Sequence, residues 1–189
     1  MPWVISNPIY VAEQRAGGEV LPRIPAAKDV QWQYENGPAP SWRVEKSPES
    51  QGVLDVVPTV GGTQLSIRYA IGGTRSENPY AAVAMPAATG LSGFDRLMFT
   101  ARANRPMRLS VQVRVPGESQ EQRWHRSVYL DETARPIVVM FDDMTPRGPT
   151  SSTRPDLVAV RDVLFVVDTA NARPGTNGQL WLDDVGYGR

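Results

Sequence analysis

Apolar and polar residues alternate along most of this chain. The cleanest case is Met107–Val115: Met107, Leu109, Val111, Val113 and Val115 fall on one side, Arg108, Ser110, Gln112 and Arg114 on the other. A period of two marks a β-strand with one buried and one wet face. Residues 63–71 repeat the pattern, with Leu65, Ile67, Tyr69 and Ile71 inward. Residues 94–103 align Leu97, Phe99 and Ala101. Shorter strand signals lie at 31–34, 42–45, 53–57, 80–85, 123–130, 137–141, 163–168 and 180–187. Gly, Pro, Asn and Ser punctuate the gaps, as turns require. Residues 145–155 read as a loop, and one helical turn fits at 155–160. Clean alternation argues for antiparallel sheets wetted on one side. About ten short strands at this spacing predict an all-β fold, a two-sheet antiparallel β-sandwich of the jelly-roll type.

The chain has 189 residues, which suits one filled core better than two. The sandwich is expected over 29–189. Residues 1–28 read differently: a short apolar run at 3–11, then Ala/Gly/Glu/Pro-rich sequence. This is an N-terminal arm or linker, either packed on the sandwich or the tail of an upstream domain. Basic and acidic residues balance at 20 each, so nothing points to nucleic acid as partner. No apolar run approaches a membrane span. The first residues lack the basic start and apolar core of a signal peptide, and the compartment stays open. Absence of cysteine removes disulfides, thiolate metal sites and cysteine nucleophiles.

Several stretches in order are similar to a known family. Glu45 in an early strand, Trp124 in a middle one, the run 137–146 (IVVMFDDMTP) and the closing Leu180-Trp181-Leu182-Asp183-Asp184-Val185 resemble the galactose-binding-like jelly rolls used as carbohydrate-binding modules. The resemblance covers about 30–189. Separately, Val4-Ile5-Ser6-Asn7-Pro8-Ile9-Tyr10-Val11 looks like the closing segment of PHP-type metal-dependent phosphoesterase domains. Together they imply the C-terminal accessory module of a bacterial PHP-domain protein, without the His and Asp ligands of that active site.

The candidate chemistry follows. Asp183 and Asp184 adjoin on a strand, so their side chains are expected on opposite faces and cannot act together on one bond. Alternation puts Asp184 on the row of Leu180 and Leu182, where an acid needs a partner. The resemblance implies a structural Ca²⁺ held by Glu45 and Asp184, with Asp183 as substitute; the bland reading is an aspartate bonding turn amides. The outward row of β-strand 107–115 offers Arg108, Gln112 and Arg114, and the next strand adds Arg123, His125 and Tyr129. Planar donors, amides and a ring suit sugar hydroxyls and acids. This face therefore binds carbohydrate, docks an upstream domain, or is simply wet. His125 is the only histidine, and no Gly-x-Ser-x-Gly elbow accompanies it, so a catalytic triad has little support. Trp124 is expected in the core and Trp181 partly exposed. The expected function is a non-catalytic accessory module; the alternatives are a carbohydrate-active enzyme using carboxylates or a purely structural appendage.

Overall fold

The computed structural model describes residues 26–73, 78–117 and 121–189. The arm expected over 1–28 lies outside them except for its last residues.

Among the described residues, twelve strands build two antiparallel sheets. They are β1 (Val30–Tyr34), β2 (Arg43–Lys46), β3 (Gln51–Thr59), β4 (Gly62–Ala70), β5 (Tyr80–Pro86), β6 (Arg96–Ala103), β7 (Met107–Val115), β8 (Gln122–Leu130), β9 (Arg135–Met140), β10 (Thr145–Arg147), β11 (Asp162–Asp168) and β12 (Asn177–Gly188). The first sheet runs β3-β4-β12-β6-β9, with β1 added to β12. The second runs β10-β8-β7-β11-β5-β2. This is the two-sheet jelly-roll sandwich that the alternation predicts, and a 3-10 turn at Phe141–Asp143 is the only helical element among the described residues.

The inward rows meet in one core. Leu65, Ile67 and Tyr69 of β4, Leu97, Phe99 and Ala101 of β6, and Leu180 and Leu182 of β12 pack against Val111, Val113, Val163, Phe165 and Trp124. Phe99 and Phe165 meet edge to face across the sheets, centroids 5.3 Å apart, the arrangement that the ring quadrupoles favour. Trp124 is 1% exposed, and Trp181 lies on the outer face of the first sheet under the Arg102 guanidinium, 3.6 Å from its ring centroid.

Three local expectations are corrected. The segment read as a loop at 145–155 opens with β10, whose Thr145, Pro146 and Arg147 pair with His125, Trp124 and Arg123. Such a three-residue edge strand carries too little sequence to show a period. The helical turn at 155–160 is instead a turn held by Asp156, whose carboxylate accepts from the Val158 amide at 3.1 Å. It closes over Gly90, whose φ of +70° and contact with the Val158 carbonyl leave no place for a Cβ. Lastly, β12 does not alternate to its end. Its register against β6 shifts between Asp183 and Gly186, and Asp184 has φ +48°. The bulge inserts a residue, so Val185 and Tyr187 enter the core while Asp184 is exposed.

Candidate functional site: the outer face of the second sheet

Because Leu109, Val111, Val113 and Val115 of β7 enter the core, Arg108, Ser110, Gln112 and Arg114 stand on the opposite, outer face. Registration carries that face across the sheet. Arg108 pairs with Tyr129, Ser110 with Ser127, Gln112 with His125 and Arg114 with Arg123. All six residues expected to bind ligand thus share one surface. The pairings of β11, β5, β2 and β10 add Asp162, Leu164, Val166 and Asp168, then Tyr80, Ala82 and Ala84, then Arg43 and Glu45, and at the far edge Thr145 and Arg147.

The middle of the face is a small apolar floor. Ala82, Ala84, Leu164 and Val166 are no more than 4% exposed, with Tyr80 packed beside them. Charged side chains reach over it from both edges. Arg43 donates to Asp162 at 2.7 Å. Arg114 donates to Asp162 at 3.2 Å and grips both carboxylate oxygens of Glu45. Glu45 is on β2 and Arg114 on β7, with β5 and β11 between them, about 14 Å of sheet at the usual strand spacing. From the other edge, Arg147 on β10 crosses β8 and β7 to donate to Asp168 on β11. Both straps run along the same diagonal: from β10 toward β2, each shifts from the Asp162 end of the face toward the Asp168 end. A twisted sheet is concave along one diagonal only, and side chains meet across two intervening strands on that one. The outer face is therefore a trough, and Ala82 and Ala84 are small enough to let Arg43 and Glu45 lie across β5.

The electrostatics follow from the straps. Burial alone would push the Glu45 carboxyl up, but the hydrogen bonds and charge of Arg114, with Arg43 behind them, outweigh it and hold it below the usual carboxylate range. His125 is moved down by burial and by the Arg147 charge, with Asp168 partly opposing, so the imidazole is neutral at neutral pH.

The six expected ligand residues divide on this geometry. Gln112 is 0% and Arg114 8% exposed. Gln112 donates to the Ser110 hydroxyl at 3.1 Å, and its carbonyl oxygen is buried with no partner. Arg114 is a strap: with Arg43 it neutralises the buried Asp162 and the half-buried Glu45, acids that need a counter-charge there. Arg108 is exposed and donates to the Ser127 hydroxyl at 2.8 Å. Tyr129 is 51% exposed, and Arg123 and His125 are half-buried. Where the straps leave room, a pocket of about 220 Å³ opens between Asn78, Tyr80, Arg123, Arg147 and Asp168.

This architecture has counterparts among solved structures. A family 11 carbohydrate-binding module of the cellulosomal cellulase Lic26A-Cel5E of Clostridium thermocellum aligns at TM-score 0.67, with 13% identity over 85% of this chain and 95% of that one. The fold is that of a carbohydrate-binding-module jelly roll. The Clostridium thermocellum family 11 module in complex with a β-1,3-1,4-mixed-linked tetrasaccharide aligns at TM-score 0.66, with 12% identity over 84% of this chain and 94% of that module. A family 30 module of the cellulosomal cellulase Cel9D-Cel44B of the same organism aligns at TM-score 0.59, with 13% identity over 84% and 96%. No protein-family model and no curated protein sequence matches the chain.

The calcium set expected from the resemblance is not assembled in this jelly roll. Glu45 lies on the second sheet, gripped by Arg114. Asp183 and Asp184 lie on β12 of the first sheet, in a shallow pocket with Glu35 and Asn36. Asp184 accepts from the Thr100 hydroxyl at 3.2 Å. Burial, then the Asp184 and Glu35 charges, push the Asp183 carboxyl up. Glu45 and the Asp183–Asp184 pair thus stand on different sheets and do not share one site.

Sequence reasoning missed Arg43, Asp162, Asp168, Arg147 and Tyr80. The two aspartates carried a signal. They bracket Val163–Val167, a run apolar on both faces, and acids at the ends of a fully buried strand need partners.

Proposed function

We propose that this jelly roll is a non-catalytic glycan-binding module that takes its ligand in the trough of the second sheet. The carrying observation is the pocket between Tyr80, Asn78, Arg123, Arg147 and Asp168. It joins an aromatic ring to fixed planar donors and a carboxylate, the combination that reads sugar rings and hydroxyls. It is smaller than the about 300–1,000 Å³ of sites for drug-sized ligands, which suits one sugar residue of a chain lying along the trough. The likeness of the fold to carbohydrate-binding modules supports the same reading.

The carboxylates of the face favour binding over catalysis. Glu45, Asp162 and Asp168 are each engaged by arginine, and Glu45 is held ionised. A glycosidase-type pair needs one acid kept protonated near neutral pH, and Glu45 has the opposite environment. Affinity electrophoresis through gels cast with soluble polysaccharides tests the proposal. Retardation of the wild type on at least one glycan, reduced by Tyr80→Ala, is expected. Retardation unaffected by Tyr80→Ala would move the site elsewhere.

A further inference from the structure

On the reading that the trough binds glycan, we infer that the glycan is acidic, and that Arg123 receives its carboxylate or sulfate group. Three arginines stand in one cross-strand row on adjacent strands: Arg147 of β10 opposite Arg123 of β8, and Arg123 opposite Arg114 of β7. Like charges placed directly opposite in a sheet repel, so each needs a counter-charge. The outer two have one. Arg147 is bonded to Asp168, and Arg114 to Glu45 and Asp162. Among the described residues Arg123, between them, has only Glu121, at 3.9 Å, beyond hydrogen-bond distance. The Glu121 side chain is 57% exposed and also lies 3.4 Å from Arg114, so a ligand anion can replace it at Arg123 at little cost.

The placement is open to a ligand. The Arg123 side chain is 31% exposed, and Arg123 lines the pocket together with Arg147 and Tyr80. Two planar N–H groups of Arg123 match the two oxygens of a carboxylate or sulfate, while the Tyr80 ring and the Asn78 amide remain for the sugar itself. His125, the neighbour of Arg123 along the outer row of β8, is already neutral and adds no competing charge. Arg108, farther along the trough, is bonded among the described residues only to the Ser127 hydroxyl and carbonyl, and gives a second cation for the next acidic residue of a chain.

The experiment is titration of the whole chain, at fixed ionic strength, with polygalacturonate, dextran sulfate, neutral dextran and neutral mixed-linked β-glucan. It is run for the wild type, Arg123→Gln, and Arg68→Gln as control, with circular dichroism confirming that each variant is folded. Arg68 is an exposed arginine of the other sheet, paired with Asp55. Tighter binding of a carboxylated or sulfated polymer than of the neutral ones is expected. The two acidic arms show which oxyanion is read. Losing one charge-assisted contact, Arg123→Gln should weaken acidic binding by about tenfold to a hundredfold, with Arg68→Gln unchanged. Equal losses in Arg68→Gln would mean unspecific charge attraction and overturn the inference. Neutral glucans binding as well as or better than acidic ones would overturn it too, leaving glycan binding intact. Binding of no polymer would overturn both.

Discussion

Arg114→Met tests whether the trough is held by its straps. The change removes the two-pronged partner of Glu45 and one of the two arginines on Asp162. The Asp162 side chain is 8% exposed and that of Glu45 22%, so neither carboxylate is rescued fully by water. Breaking a buried ion pair by deleting one partner costs about 3–5 kcal/mol. Here Arg43 remains, at 2.7 Å from Asp162 and 3.4 Å from Glu45, and Glu45 is partly wet. The expected cost is therefore about 2–3 kcal/mol, a fall in Tm of about 5–10 °C for a domain of this size. The pH dependence has a fixed sign. The folded Glu45 carboxyl sits below its unfolded value of about 4.3. Its stabilisation is complete above that value and is lost as pH falls through the folded one. Urea unfolding at pH 7 should separate wild type and variant, and the gap should narrow below about pH 4. Adding Glu45→Gln to the variant should recover part of the loss, because the stranded charge is then gone. A variant as stable as wild type at pH 7, or a gap that stays constant on acidification, would refute the strap account.

Other perturbations reach the rest of the fold. Trp124→Ala empties a site only 1% exposed and should cost about 3–5 kcal/mol by chemical denaturation. Asp184→Val puts a β-branched residue at φ +48° and should destabilise by about 1–3 kcal/mol, whereas a regular strand there would welcome valine. Asp183→Asn should stabilise at pH 7, since burial and neighbouring charge penalise the ionised acid. That gain should vanish below about pH 4, where the unfolded carboxyl also protonates; a gain undiminished at pH 3 would assign it another cause. Gly90→Ala should lower the urea midpoint, since an L side chain there collides with the Val158 carbonyl at φ +70°.

Much of the fold was readable because burial in a sandwich imposes a period of two. The inward rows of β4, β6 and β7 appear in the sequence as they stand in the core. The outer row of β7 and its neighbours on β8 were likewise readable, which is why the six expected ligand residues share a face. What the pattern could not show was depth. Alternation says that Gln112 and Arg114 point away from the core, and says nothing of side chains arriving from β2 to cover them. Those partners are 69 residues away in the case of Glu45 and Arg114, and only strand order brings them together. Asp184 failed for a different reason. A bulge changes the period by one residue, and Asp-Asp before Val-Gly contains no glycine at the position that takes positive φ. Arg147 was hidden by the shortness of β10.

The central claim is that ligand enters the trough of the second sheet, and amide chemical-shift mapping with an oligosaccharide titrated into the labelled protein tests it most directly. The account predicts shifts grouped at Tyr80, Arg123, His125, Tyr129 and Asp168, across β5, β8 and β11. Shifts grouped instead at Trp32, Arg102 and Trp181, on the outer face of the first sheet, would contradict it.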